Sequence, residues 1–237
     1  MSNVPTDKAL QTYARLAGLL YLFVMAAFVI PFVITGSLAA PDNFAQTARN
    51  VVGSEFLYRC ALAINLMGVI AVVLLSGAFY ALLRGVSPGL AATALALRVV
   101  EAAFMGFAVL VRFPALDNYA AASEGAGSRE ALHQLMFSAV NAATIIGFAC
   151  VSVGSALFFY LFFKARYIPR ALAGFGVFAS LSLGVLAFAL ILIPDQLAGL
   201  EMAAMLPLGV AEVTTGLWLL IAGVNLKHAA SRPATAP

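Results

Sequence analysis

The sequence predicts an all-α, polytopic membrane protein: one bundle of six transmembrane helices with both termini cytoplasmic. Three observations predict it. Apolar runs of about 19 residues or more recur along the chain, the length a helix needs to cross a hydrocarbon core about 30 Å thick. Charged residues make up only 10% of the 237 positions, against about 25% in soluble domains, and with a mean hydropathy of +1.02 lipid is the solvent for most of the surface. The basic residues gather at alternate connections, as charge-sorted topology requires.

The elements follow in order. Residues 1–13 are polar and read as a mobile arm, 14–226 as the transmembrane domain, and 227–237, which lack an apolar period, as a disordered tail. The first span covers 16–34, with Pro31 in its outer third, placed to kink it. Ser37-Leu38-Ala39-Ala40 could pass for a signal cleavage site, but the run of about 19 apolar residues exceeds a signal core of about 7–15, so the helix is expected to be retained. In the outer loop 37–54, Asp42 can cap a short surface helix with Phe44, Ala48 and Val51 on one face.

Ser54-Glu55 caps the second span, which runs to about Leu83. Ser87 as N-cap and Pro88 in the first turn open the third, expected to end near Arg112-Phe113-Pro114. An Ala/Gly/Ser-rich loop, 114–129, leads to the fourth span at 130–163. A basic turn, 164–170, precedes the fifth, which Pro194 stops; the sixth covers 203–226. Lys8, Arg15, Arg84, Lys164, Arg166, Arg170, Lys227 and Arg232 then all fall on the face that bears the termini, which makes that face cytoplasmic.

The informative residues are the polar ones inside the spans. A centrally placed Arg or Glu costs about 2.5–3.5 kcal/mol on insertion scales, so such groups face the bundle interior. Rising 1.5 Å per residue, Arg98 lies about 12 Å deep, Glu101 about 16 Å, Glu212 about 14 Å and Asn65 about 15 Å, with Asn141 at a similar or slightly shallower level. Their faces agree as well. Gly209, Glu212, Gly216 and Gly223 form one seam; Tyr58, Ala61, Asn65 and Gly68 another; Asn141, Thr144, Ser152 and Ser155 a third. Gly176, Ser180 and Gly184 make a seam without charge. Arg59, one turn inside the outer boundary with Glu55 at i−4, is either half of an interfacial salt bridge or the guard of a cavity mouth.

Other chemistries find little support. Cys60 and Cys150 sit in apolar runs without a CxxC or Cys/His cluster, so no metal site is expected. With His133 and His228 as the two histidines, and His228 in the tail, a bis-histidine haem is not expected either, and no cofactor is predicted. No mid-span lysine offers a Schiff base, no GxSxG, HExxH, P-loop or DxD pattern occurs, and a net charge of +3 spread over helix ends is no nucleic-acid footprint.

Several stretches resemble a bacterial membrane family catalogued as domain of unknown function 4386: Arg15-Leu16-Ala17-Gly18-Leu19-Leu20-Tyr21-Leu22, Ser54-Glu55-Phe56-Leu57-Tyr58-Arg59, Leu97-Arg98-Val99-Val100-Glu101-Ala102, and Glu212 together with Trp218-Leu219-Leu220-Ile221-Ala222-Gly223-Val224-Asn225. The similarity spans about residues 14–226, departing at Tyr58, where the family tends to carry Phe. It implies a bacterial multi-pass protein, hence of the plasma (inner) membrane, and no particular activity.

The leading functional expectation is binding, with passage as an extension, of a small or amphipathic molecule at the midplane. Arg98, Glu101 and Glu212 would be its anchors, Asn65, Asn141 and Arg59 would lie around it, and membrane lipids would be the other partners. The alternatives are an intramembrane enzyme on a lipid-like substrate, with Glu101 or Glu212 as general acid–base, and a structural or accessory subunit whose polar network only locks helices together. The enzyme is the weaker of these, because it lacks a nucleophile or metal set. The sequence carries no feature that fixes an oligomeric state.

Overall fold

The computed structural model describes residues 7–41, 43–122, 126–197 and 201–226; the tail predicted at 227–237, and Asp42 as a cap, lie outside them. The described secondary structure is α-helical: α1 (Asp7–Leu38), α2 (Phe44–Gly53), α3 (Glu55–Leu83), α4 (Pro88–Ala120), α5 (Ala126–Ala165), α6 (Arg170–Leu192), the single turn α7 (Pro194–Leu197) and α8 (Glu201–Ile221). Five of these, α1, α3, α4, α5 and α6, are long and apolar enough to cross a membrane, and Met205–Ile221 of α8 is a shorter apolar helix. Phe56, Val185, Leu192, Ile221 and many other large apolar side chains point outward, as suits a surface in contact with lipid.

The long helices close into a ring. α1 packs on α3, α3 on α4, α4 on α5, α5 on α6, α6 on α8, and α8 returns to α1. Small residues let the last contact form. A Cβ on Gly18 would lie 2.5 Å from the Leu220 amide nitrogen and 2.7 Å from the Gly216 carbonyl, so the two backbones touch there. The uncharged α6 seam behaves as predicted. Gly176 lies against the Phe159 ring and Gly184 against the Ser152 side chain, both from α5.

Several helix ends differ from expectation, each for a local reason. α1 begins at Asp7 rather than Arg15, because Leu10 and Ala14 are buried and the Gln11 amide bonds both polar groups of Val224: Nε2 donates to its carbonyl at 2.7 Å, and Oε1 accepts from its N–H at 3.1 Å. These bonds place the two ends of the described chain together at one end of the bundle. α8 stops at Ile221, not Leu226. Gly223 takes the left-handed conformation (φ 69°), its N–H bonds back to the Trp218 carbonyl at 3.2 Å, and Asn225 N–H reaches Tyr167 O at 3.0 Å. Gly223 is therefore a helix terminator, and it also stays on the α1-facing seam, packed against Gln11.

α4 does not stop at Pro114 but runs to Ala120, and α5 is described from Ala126, so helix occupies much of the expected loop of residues 114–129. The proline costs about 3 kcal/mol in a helix interior; burial of Ala115, Leu116 and Tyr119 beneath α2 offsets it. α2 is the expected short helix with Phe44, Ala48 and Val51 inward. Its described cap is Asn43, whose Oδ1 accepts from Gln46 N–H at 2.9 Å, and it covers the far end of α3, α4 and α5. Ser54 and Ser87 occupy the predicted N-cap positions, but neither side chain makes the capping bond.

Candidate functional site

Arg98, Glu101 and Glu212 are brought together. All three are buried, with 4%, 7% and 8% of their surface exposed. Arg98 and Glu101 sit three residues apart on α4, on one face, and Nη1 lies 2.9 Å from Glu101 Oε2. The guanidinium also donates from Nη1 to Ser155 Oγ of α5 at 3.3 Å. Gly154 admits the arginine: a Cβ there would meet Arg98 Cγ at 3.2 Å and the Ala94 carbonyl at 3.3 Å.

Glu212 enters from α8. The seam carrying it faces α1, since Gly209 approaches Met25 and Gly216 approaches Tyr21 and Leu22. Tyr21 Oη donates to Glu212 Oε1 at 3.1 Å. Glu212 has no basic group within 4 Å among the described residues, yet it remains within electrostatic range of Arg98 and Glu101. Beneath it the Tyr21 ring meets Phe79 edge-on at 5.3 Å, and Phe79 meets Phe158 and Phe162 at 5.2 Å each, an aromatic floor between the polar centre and the end where the termini meet.

The remaining candidates lie elsewhere. Asn65 is buried, but its Nδ2 reaches the Ala27 carbonyl of α1 at 3.5 Å, a level six residues, or about 9 Å, above Tyr21 on that helix. Asn141 is exposed. It lies fourteen residues, about 21 Å, from Ser155 along α5. The shared depth expected for it is not met, since α5 is 40 residues, about 60 Å, long and carries Asn141 about four turns from Ser155, which meets Arg98. Arg59 pairs with Glu55, Nε to Oε1 2.7 Å, with both side chains about half exposed. It is an exposed i,i+4 ion pair away from the buried centre.

Sequence reasoning did not single out Tyr21, and placed Ser155 on the right face without a partner. A lone tyrosine in an apolar run carries no periodic signal, and its presence in the Arg15–Leu22 stretch was the one hint available. The centre is unbalanced. One guanidinium faces two carboxyl groups. Glu101 Oε2, although 2.9 Å from Arg98, has no aligned hydrogen-bond donor. Thr215 Oγ1, one turn beyond Glu212 and fully buried, also lacks a partner. Two surface concavities, lined by Lys8, Thr12 and Tyr13 and by Ala103, Phe104 and Phe107, lie away from this centre. Among the described residues no group of three or more His, Cys, Asp or Glu side chains is arranged to hold a metal ion.

No curated protein and no solved structure matches the chain. A family model does, over residues 16–223, a stretch that takes in Tyr21, Arg98, Glu101 and Glu212 alike. This integral membrane protein belongs to the family described as domain of unknown function 4386 (DUF4386).

Proposed function

We propose that the chain is a six-span protein of the bacterial inner membrane, with both termini cytoplasmic, whose buried centre binds a small or amphipathic molecule bearing a positive charge or a strong hydrogen-bond donor. The sixth span in this reading is α8, whose 21 residues cover about 31 Å, enough for a core of about 30 Å. Lys8, Arg15, Arg84, Lys164, Arg166, Arg170, Lys227 and Arg232 are assigned to the terminal face, against Arg49, Arg59, Arg112 and Arg129 on the other. That bias orients the chain.

The observation that carries the binding reading is the imbalance at the centre. Two buried carboxyls share one guanidinium, and a carboxylate oxygen of Glu101 lacks an aligned donor. An uncompensated carboxylate in low dielectric is costly, so the centre favours acquiring a proton or a donor group from a ligand. The same centre, opened alternately to each side, would serve passage. The second reading, a structural lock, draws support from how far the side chains already serve one another: Arg98 with Glu101 and Ser155, Glu212 with Tyr21.

Native mass spectrometry of the detergent-purified protein separates the two. Binding requires a retained small molecule on the wild type that Glu101→Gln and Glu212→Gln lose. A wild type with no retained mass, or variants that keep the same one, leaves the structural lock.

A further inference from the structure

A second unbalanced charge sits at the other end of the bundle. Arg112 of α4 is half-buried, and among the described residues no carboxylate lies within 4 Å of it. Of the described acidic groups at this end, Glu55 is taken by Arg59, and Asp117 and Glu130 are exposed. Counting from Pro88, Arg112 stands twenty-four residues, about 36 Å, along its helix. In the six-span reading that is just past the hydrocarbon core and level with the outer headgroups.

Its surroundings are built rather than open. Tyr58 of α3 donates to the Arg112 carbonyl at 3.2 Å. Tyr119, two turns further along the same face of α4, stands edge-on to Tyr58 at 6.3 Å. The guanidinium lies within electrostatic range of both tyrosines. Both hydroxyls are already committed, Tyr58 to the backbone and Tyr119 to His133 Nδ1 at 3.2 Å, which holds the rings as fixed walls. Phe44 of α2 closes over them, 6.0 Å from Tyr119 and 5.3 Å from His133. A partly desolvated guanidinium within electrostatic range of two tyrosines, with no carboxylate partner among the described residues, keeps its planar fork of donors for a ligand, and that fork matches phosphate and carboxylate.

We propose that Arg112, beside Tyr58 and Tyr119 at the end of the bundle that α2 covers, binds an anionic phosphate group at the outer face of the membrane. The site is independent of the Arg98–Glu101–Glu212 centre and would stand if that centre proved purely structural. The phosphate could belong to an acidic phospholipid or be free in the outer solution, and the test has an arm for each.

Wild type, Arg112→Gln, Arg112→Lys and, as a control for an exposed arginine at the same end, Arg59→Gln are compared by thermal unfolding. One arm uses nanodiscs of phosphatidylcholine with and without phosphatidylglycerol; the other titrates inorganic phosphate in neutral detergent. The expected result is a rise in midpoint of several degrees for wild type and Arg59→Gln, reduced in Arg112→Lys and absent in Arg112→Gln. A rise with phosphatidylglycerol alone identifies a lipid headgroup; a rise with phosphate alone identifies a soluble ligand. If neither raises the wild type above Arg112→Gln, or if Arg112→Gln fails to fold and Arg112→Lys responds no differently from Arg59→Gln, the proposal is overturned.

Discussion

Tyr21 and Glu212, 191 positions apart in sequence, are joined by a hydrogen bond of 3.1 Å that ties the first long helix to the last. The bond exists because Gly18, one turn before Tyr21, meets the Gly216 carbonyl and lets α1 and α8 approach to backbone contact, while Gly209 lies against Met25 on the other side. Removing the hydroxyl leaves a buried carboxyl short of a donor, which costs about 1–3 kcal/mol. Tyr21→Phe should therefore lower the thermal midpoint in detergent. The double variant Tyr21→Phe/Glu212→Leu should fall short of the summed single effects by about 0.5–3 kcal/mol. Strict additivity would mean that the bond contributes nothing.

The ends of this relationship were unequally legible in the sequence. A charge inside an apolar run announces itself, so Arg98, Glu101 and Glu212 stood out, and the glycine seam on α8 pointed to a close neighbour. The partner's identity depends on which helices the ring brings side by side, and no local pattern encodes that. Starts of helices were read well where serine and proline mark them, as at Ser54, Ser87 and Pro88. Ends were read poorly where tertiary burial overrides a local breaker, as at Pro114, or where Gly223 is a terminator as well as a packing contact. Asn141 was misplaced because counting along one helix does not give the level at which α5 packs on α4, where Gly154 meets Arg98 and Gly147 meets Met105.

Arg98 should be the costliest of the buried charges to remove. Arg98→Ala leaves Glu101 and Glu212 with no cation between them, and breaking a buried pair in this way costs about 3–5 kcal/mol. Arg98→Met/Glu101→Leu, which takes away both charges and keeps the volume, should recover much of that loss. Thermal unfolding of the two proteins, prepared in the same detergent, checks the order. If the double variant is the less stable, the pair is a net stabiliser and not a compensated liability.

Close packing at Gly18 gives a test that touches no polar group. A methyl there meets backbone atoms at 2.5 and 2.7 Å, which no rotamer change relieves, so Gly18→Ala should destabilise by about 1–3 kcal/mol. Gly77, in mid-α3 with nothing within 4 Å of its Cβ direction, is the matched control: Gly77→Ala should stabilise by up to about 1 kcal/mol through helix propensity. Equal effects at the two sites would show that α1 and α8 are not in backbone contact.

Gln11 makes a different kind of tie. Its amide satisfies both polar groups of Val224 just beyond the glycine that ends α8. Gln11→Leu removes two hydrogen bonds at about 0.5–1.5 kcal/mol each and should leave the bulk of the bundle in place. Hydrogen–deuterium exchange should therefore speed up at residues 222–226 while α3 and α4 keep their protection. Faster exchange throughout would mean that the first two turns of α1 hold the whole ring, and unchanged exchange at 222–226 would mean that the tie is idle.

Orientation in the membrane follows from where arginine and lysine fall, and labelling can read it directly. With Cys60 and Cys150 replaced by alanine, single cysteines at Ala45 and Gly53 report the end covered by α2, and one at Gly85 reports the α3–α4 turn. All three positions are exposed, and neither glycine has an atom within 4 Å of its Cβ direction. A membrane-impermeant maleimide applied to intact spheroplasts should label Ala45→Cys and Gly53→Cys at once, and Gly85→Cys only after permeabilisation. Adding Gln196→Cys between α6 and α8, together with a fluorescent protein fused after Pro237 that matures only in the cytoplasm, extends the test to the sixth crossing. Labelling from outside with a bright fusion means that α8 spans. The reverse pattern at all sites would invert the protein and with it the leaflet assigned to Arg112, and a labelled Gln196→Cys with a dark fusion would leave α8 on the outer surface.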